Sequence, residues 1–163
     1  VDDVSVVHER ACIDLDEDFE DTVAFNFNMV SSSPSVYWHA TTHNKYEGIR
    51  SLQAANPASH TYNGGAVTTT ISTGFPVCAG GVLQFRLLNK LAETGCDKDS
   101  FRVLLGNVQL LERCTPSTSW ELVSVAVDKY ANTSIPISFE FKSNGTNNNA
   151  NGPYIDLIEV ACP

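Results

Sequence analysis

The polar and apolar residues of this chain alternate in short runs. In "IPISFEF", Ile135, Ile137, Phe139 and Phe141 fall on one side of an extended backbone, with Ser138 and Glu140 on the other. Residues 82–88, 101–105, 120–127 and 23–30 read the same way, and 66–72 is rich in the β-branched residues that suit a pleated surface. A last run, 154–160, reads as a buried strand. Turn chemistry separates these runs: Asn63-Gly64-Gly65, Gly80-Gly81 and Gly106-Asn107 tolerate positive φ, and Pro34, Pro57, Pro76 and Pro116 break the pattern. Residues 143–153 form a long polar loop. No segment predicts a helix longer than about two turns, and "NKLAETG" and "LQAAN" are at most single turns. The expectation is an all-β fold, a jelly-roll β-sandwich of two antiparallel sheets, in one domain over residues 1–163 with 1–10 as an N-terminal extension. In such a fold the first and last strands lie side by side.

Composition narrows the function. With 42% apolar residues the 163-residue chain can bury a core, and no apolar run approaches the roughly 20 residues of a membrane helix. Nothing reads as a signal peptide. Ten basic and 19 acidic residues give a net charge of -9, which argues against nucleic acid and against insertion into or binding to an anionic membrane. Five cysteines without a CxxC pair suit disulfides rather than structural zinc. Sequons at Asn132 and Asn144 agree with an oxidising, extracellular compartment.

Two acidic features call for a partner. If residues 11–22 run extended, Asp14, Asp16, Asp18 and Glu20 share one face, at about 6.6 Å spacing, with Ile13, Leu15 and Phe19 on the other. Such oxygens suit calcium, although the stretch is no EF-hand, and a solvated acidic edge is the alternative. In the last strand, period-two geometry puts Asp156 on the face of Tyr154, Ile158 and Val160, where a bare carboxylate is costly. If the terminal strands are neighbours, Glu20 and Asp156 meet, with Asp18 nearby, and Ca²⁺ between them removes the conflict; an arginine or lysine would do the same.

Candidate ligand chemistry gathers elsewhere. Tyr37, Trp38, His39, Asn44 and Tyr46 form an aromatic and polar cluster that His60 and Tyr62 can join, the composition a sugar-binding surface needs. Trp120, alternating with Leu122, reads as core. His39 and His43 have the i, i+4 spacing of a helical zinc site, but their context is loop or strand. Neither G-x-S-x-G nor HExxH occurs, and no catalytic pair of carboxylates stands out.

The order of short motifs carries a resemblance. "DFED" is followed by Trp38, "GIRSLQAANP", "GGVLQFRLL", "FRVLL", "SWELVSVAVDKYANTSIPISFEF" and "YIDLIEVAC". Over residues 18–162 this resembles the jelly-roll superfamily of MAM domains, reelin repeats, bacterial adhesin domains and carbohydrate-binding modules. The resemblance implies extracellular recognition without catalysis, with the family's opening Glu at Glu20 and its final-strand Asp at Asp156. MAM and reelin domains commonly have a second acid next to that Asp, where this chain has Leu157. Cys12 and Cys162 flank the terminal strands and would staple them. Cys96 with Cys114 would close a hairpin, Cys78 with Cys96 being the rival pairing; each bridge is worth about 2–4 kcal/mol.

The reading is a secreted or cell-surface, calcium-steadied recognition or adhesion module for a glycan or an extracellular protein. A carbohydrate-binding module of a secreted enzyme, a small polysaccharide-degrading enzyme and an inert spacer are the alternatives.

Overall fold

The computed structural model describes residues 15–20, 27–76, 79–127, 134–147 and 149–161. Their strands are β1 (Leu15–Glu17), β2 (Asn28–Ser31), β3 (Tyr37–Thr41), β4 (Ser51–Ala55), β5 (Val67–Pro76), β6 (Val82–Lys90), β7 (Asp99–Leu105), β8 (Val108–Arg113), β9 (Glu121–Ala126), β10 (Ser134–Ser143) and β11 (Gly152–Ala161). One sheet has the order β3-β4-β11-β6-β9, with β1 also beside β11; the other has the order β2-β5-β10-β7-β8. Every pairing is antiparallel. No helix occurs among the described residues. The jelly-roll β-sandwich expected from the alternation is the fold.

The core lies between the sheets and is built from the alternating sets. Ile137, Phe139 and Phe141 from β10 meet Leu83, Phe85 and Leu87 from β6, all fully buried. Phe85 meets Phe139 edge to face at 5.2 Å between centroids. Each such side chain contributes roughly 1.5–3 kcal/mol on leaving water. The disulfide Cys96–Cys114 ties the turn before β7 to the residue after β8, closing that hairpin as expected. Cys12, Cys78, Cys162 and Asn132 lie outside the described residues.

Three expectations change. "LQAAN" is no turn: Leu52 to Ala55 belong to β4, every residue of which is buried. A strand covered on both faces shows no solvent side, so its alternation is hidden, and tertiary pairing overrides the helix-favouring Leu, Gln and Ala. Edge strand β8 has no clean alternation and was not anticipated. The third change is at Asp156. Leu157 has φ 48°, and the β11–β6 register slips between Asp156 and Glu159. This bulge resets the side-chain parity. Ile155, Ile158 and Val160 face the core, whereas Tyr154 lies outside that cluster, hydrogen-bonded to Gln53 and His43, and Asp156 shares its side of the strand. Asp156 therefore does not share a face with Ile158 and Val160. It is buried by loop cover on the outer side of the sheet.

Candidate functional site

β11 places the acids. β1 and β4 flank the same edge of β11, at Ile158–Val160 and at Tyr154–Ile155 respectively. They part at Asp156, and the β3–β4 loop fills the gap. Asp156, fully buried, accepts the backbone N–H of Tyr46 at 2.9 Å and of Glu47 at 3.3 Å through Oδ2, and that of Leu157 at 2.9 Å through Oδ1. Glu20 Oε1 accepts the N–H groups of Ile49 and Arg50 at 2.8 and 2.9 Å. Gly48, at φ 61°, makes room for it, because a Cβ there would overlap the Glu20 carboxylate. Burial above all, and the charge of Glu20 as well, push the Asp156 carboxyl above its ordinary pKa, against the backbone N–H bonds. No lysine or arginine forms an ion pair with Asp156 among the described residues.

Two neighbouring carboxylates, Asp156 buried and Glu20 half-buried, are ligands of the kind a hard cation such as calcium takes, although backbone N–H groups already occupy both oxygens of Asp156 and Oε1 of Glu20. Asp18 does not join them. It is exposed, its Oδ1 accepts the Glu20 N–H, and the three carboxylates do not come within 4.8 Å of one another. The one group of three such ligand residues among the described residues is Glu112 with Cys96 and Cys114, whose thiols are spent on the disulfide.

The same outer face carries a strip of aromatic and polar side chains. Register aligns His39, Gln53, Tyr154 and Leu88 in one rank across β3, β4, β11 and β6. Asp156, Arg86 and Leu122 form the next rank across β11, β6 and β9. Tyr154 Oη lies 2.8 Å from Gln53 Nε2 and 2.7 Å from His43 Nδ1. With Gln53 donating, the hydroxyl proton goes to His43. Gln53 Oε1 accepts from His60 Nδ1 at 3.2 Å, and the His60 ring stacks on His43 at 4.4 Å with 3° between planes. Burial first, then the positive charge that His60 can carry, lowers the pKa of His43; burial also lowers that of His39, whose Nδ1 lies 3.1 Å from the Tyr37 carbonyl. Beyond Tyr154, Trp120 presents its edge at 6.4 Å, and Tyr46 stands at 68° to Trp120 at 6.1 Å.

Of the expected ligand residues, Tyr46 is exposed and Tyr37 half-buried at the β3 edge. Trp38 and Tyr62 are corrections. Trp38 is 3% exposed, donates to the Thr69 carbonyl at 3.2 Å and packs on Phe101; Tyr62 is fully buried and donates to Asp99 at 2.6 Å. Neither ring can stack on a ligand. Trp120, expected in the core, is half-buried on the outer face instead, with Leu122 52% exposed below it. The signal was present in "WELVSVAV": Ser124 has the parity of Trp120 and Leu122, while Val123, Val125 and Val127 form the inward set. Asn144 is exposed, and its Oδ1 accepts from the Thr146 hydroxyl at 2.7 Å.

No protein-family model matches the chain, and no curated protein sequence matches it. Solved structures do. The K1 cleaved adhesin domain of Lys-gingipain from Porphyromonas gingivalis W83 superposes with a TM-score of 0.66 at 13% identity, over 92% of this chain and 98% of that one. The fold is that of adhesin and carbohydrate-binding domains. A carbohydrate-binding module of the β-sandwich superfamily described as promiscuous gives 0.60 at 15%, over 89% of this chain and 60% of that one. A module solved with β-1,4-galactotriose gives 0.58 at 11%, over 84% and 88%. The likeness is one of fold and does not place the chain among MAM domains or reelin repeats.

Proposed function

We propose that this chain is a non-catalytic, extracellular recognition module that binds a glycan on the outer face of its six-stranded sheet. The observation that carries the reading is the strip from Tyr37 to Trp120. It sets aromatic rings beside amide and imidazole groups whose positions are fixed by one hydrogen-bond network. Sugar rings offer apolar C–H faces and hydroxyls, and this surface offers partners for both. The neighbours of the same fold, one of them solved with a galactotriose, favour the reading, and the Cys96–Cys114 bridge suits a secreted or cell-surface protein. Residues 1–163 act as one module, glycosylated at Asn144 and Asn132.

Calcium at the Glu20–Asp156 pair would steady the face. The remaining lone pairs of the two carboxylates would hold the ion, whose charge offsets the repulsion between them. Asp18 contributes through the turn that presents Glu20.

A glycan array followed by affinity electrophoresis tests the reading. Trp120→Ala should weaken binding at least tenfold, while Trp38→Phe leaves it intact. Binding indifferent to Trp120 refutes the proposed face. A protein ligand is the second reading, favoured by the gingipain adhesin likeness, and an array blank for all glycans would support it.

A further inference from the structure

The strip holds a cation that the network does not use. Arg86, on β6, faces outward between Asp156 and Leu122 in the second rank. Its Cζ lies 4.2 Å from the centroid of the Tyr46 ring. That stacking is the contact the structure gives the guanidinium: among the described residues it makes no hydrogen bond and no ion pair. This is unusual for its surroundings, since the chain has 19 acids to ten bases. Its cross-strand neighbour Asp156 is buried and turned to backbone N–H groups. Glu159, opposite Gln84 one rank further on, is exposed and does not reach it either.

A guanidinium is planar and presents five N–H donors in a rigid fork that matches a carboxylate in two bonds. Contact with the face of Tyr46 holds the guanidinium in place before any ligand arrives, so less side-chain freedom remains to be lost on binding. Trp120, at 68° to Tyr46, stands beside it with a ring suited to the C–H face of the same sugar. Lys90 lies on the same face of β6, opposite Gly152, and adds positive charge along the strand. We infer that the ligand is an acidic glycan, with a uronate carboxylate held by Arg86 and its ring placed against Trp120. This rests on the glycan-binding reading above. A polyanion that binds a chain of net charge -9 must do so at a specific site, because long-range repulsion works against it.

The test uses short oligomers of galacturonate, alginate and hyaluronan, each beside its carboxyl-methylated form, with neutral β-1,4-galactan and mixed-linkage β-glucan oligomers as comparisons. Isothermal titration of the whole chain should show at least one acid oligomer binding tenfold or more tightly than its ester. Arg86→Gln should remove that difference by weakening the acid form alone. Arg86→Lys should keep part of it, the charge being kept and the fork lost. Trp120→Ala should weaken both forms. Equal binding of acid and ester, or an Arg86→Gln variant that binds the acid unchanged, overturns the inference. Binding confined to neutral oligomers overturns it and leaves the glycan reading standing; no binding to any oligomer overturns both.

Discussion

Replacing Tyr62 by Phe separates a structural tyrosine from a ligand-binding one. The ring is fully buried and sits edge to face on Phe141, at 4.8 Å and 71°. Its hydroxyl donates to Asp99 Oδ2 and accepts the Ala92 N–H, both at 2.6 Å. Asp99 is itself fully buried, and its Oδ1 has no hydrogen-bond partner among the described residues. Phe keeps the ring packing and removes one oxygen. The carboxylate then loses its donor, worth about 1.5–3 kcal/mol for a charged acceptor, and a backbone N–H is orphaned at about 1–3 kcal/mol. The sum is roughly 2.5–6 kcal/mol. Urea unfolding followed by circular dichroism should show the midpoint fall with an unchanged m value. Glycan affinity, measured well below the transition, should not move. A loss under about 1 kcal/mol would refute the reasoning, and so would weakened binding at unchanged stability.

Chelation by EDTA should lower the melting temperature, and Asp156→Asn should remove that sensitivity; melting indifferent to calcium and EDTA refutes the metal proposal. Gly48→Ala should likewise abolish the calcium response while destabilising the fold by about 1–2 kcal/mol from the left-handed backbone alone, read from the same melting curves. In the Asp156→Asn variant, which removes the opposing effect of a carboxyl raised above its ordinary pKa, stability should fall with acidification. His39 and His43 have folded pKa values below the ordinary 6.5, so below pH 6.5 the unfolded chain binds more protons. Their contribution is whole above that pH and is lost as pH falls from 6.5 toward the lowered values; a flat stability profile between pH 7.5 and 5 would contradict this.

Much of the fold was legible because antiparallel sandwiches with one wet face write their period into the sequence. β6, β7 and β10 alternate cleanly, and their inward sets are the core. β4 was not legible, since loops and neighbouring strands bury both of its faces. The acids were half legible. The closeness of Glu20 and Asp156 follows from the terminal strands being neighbours, but the face of Asp156 depends on a bulge at Leu157, and nothing in a period-two reading announces a leucine at positive φ. For the aromatics, composition identified the surface and parity misassigned its members. Trp38 stands among polar residues in sequence but on the inward side of β3, next to the outward Tyr37 and His39. Of the two residues that organise the strip, Tyr154 looked like an ordinary strand residue and Gln53 like part of a short turn. Their roles come from pairing across β4 and β11, a relation 101 residues apart in the chain.

Amide and side-chain NMR shifts during titration with the tightest-binding oligosaccharide put the binding face to the most direct test. The largest changes should fall on Tyr46, Arg86, Trp120, Leu122 and His43, with the Trp38 indole unmoved. Changes centred on Val30, Thr70 and Glu140, on the outside of the opposite sheet, would contradict the account.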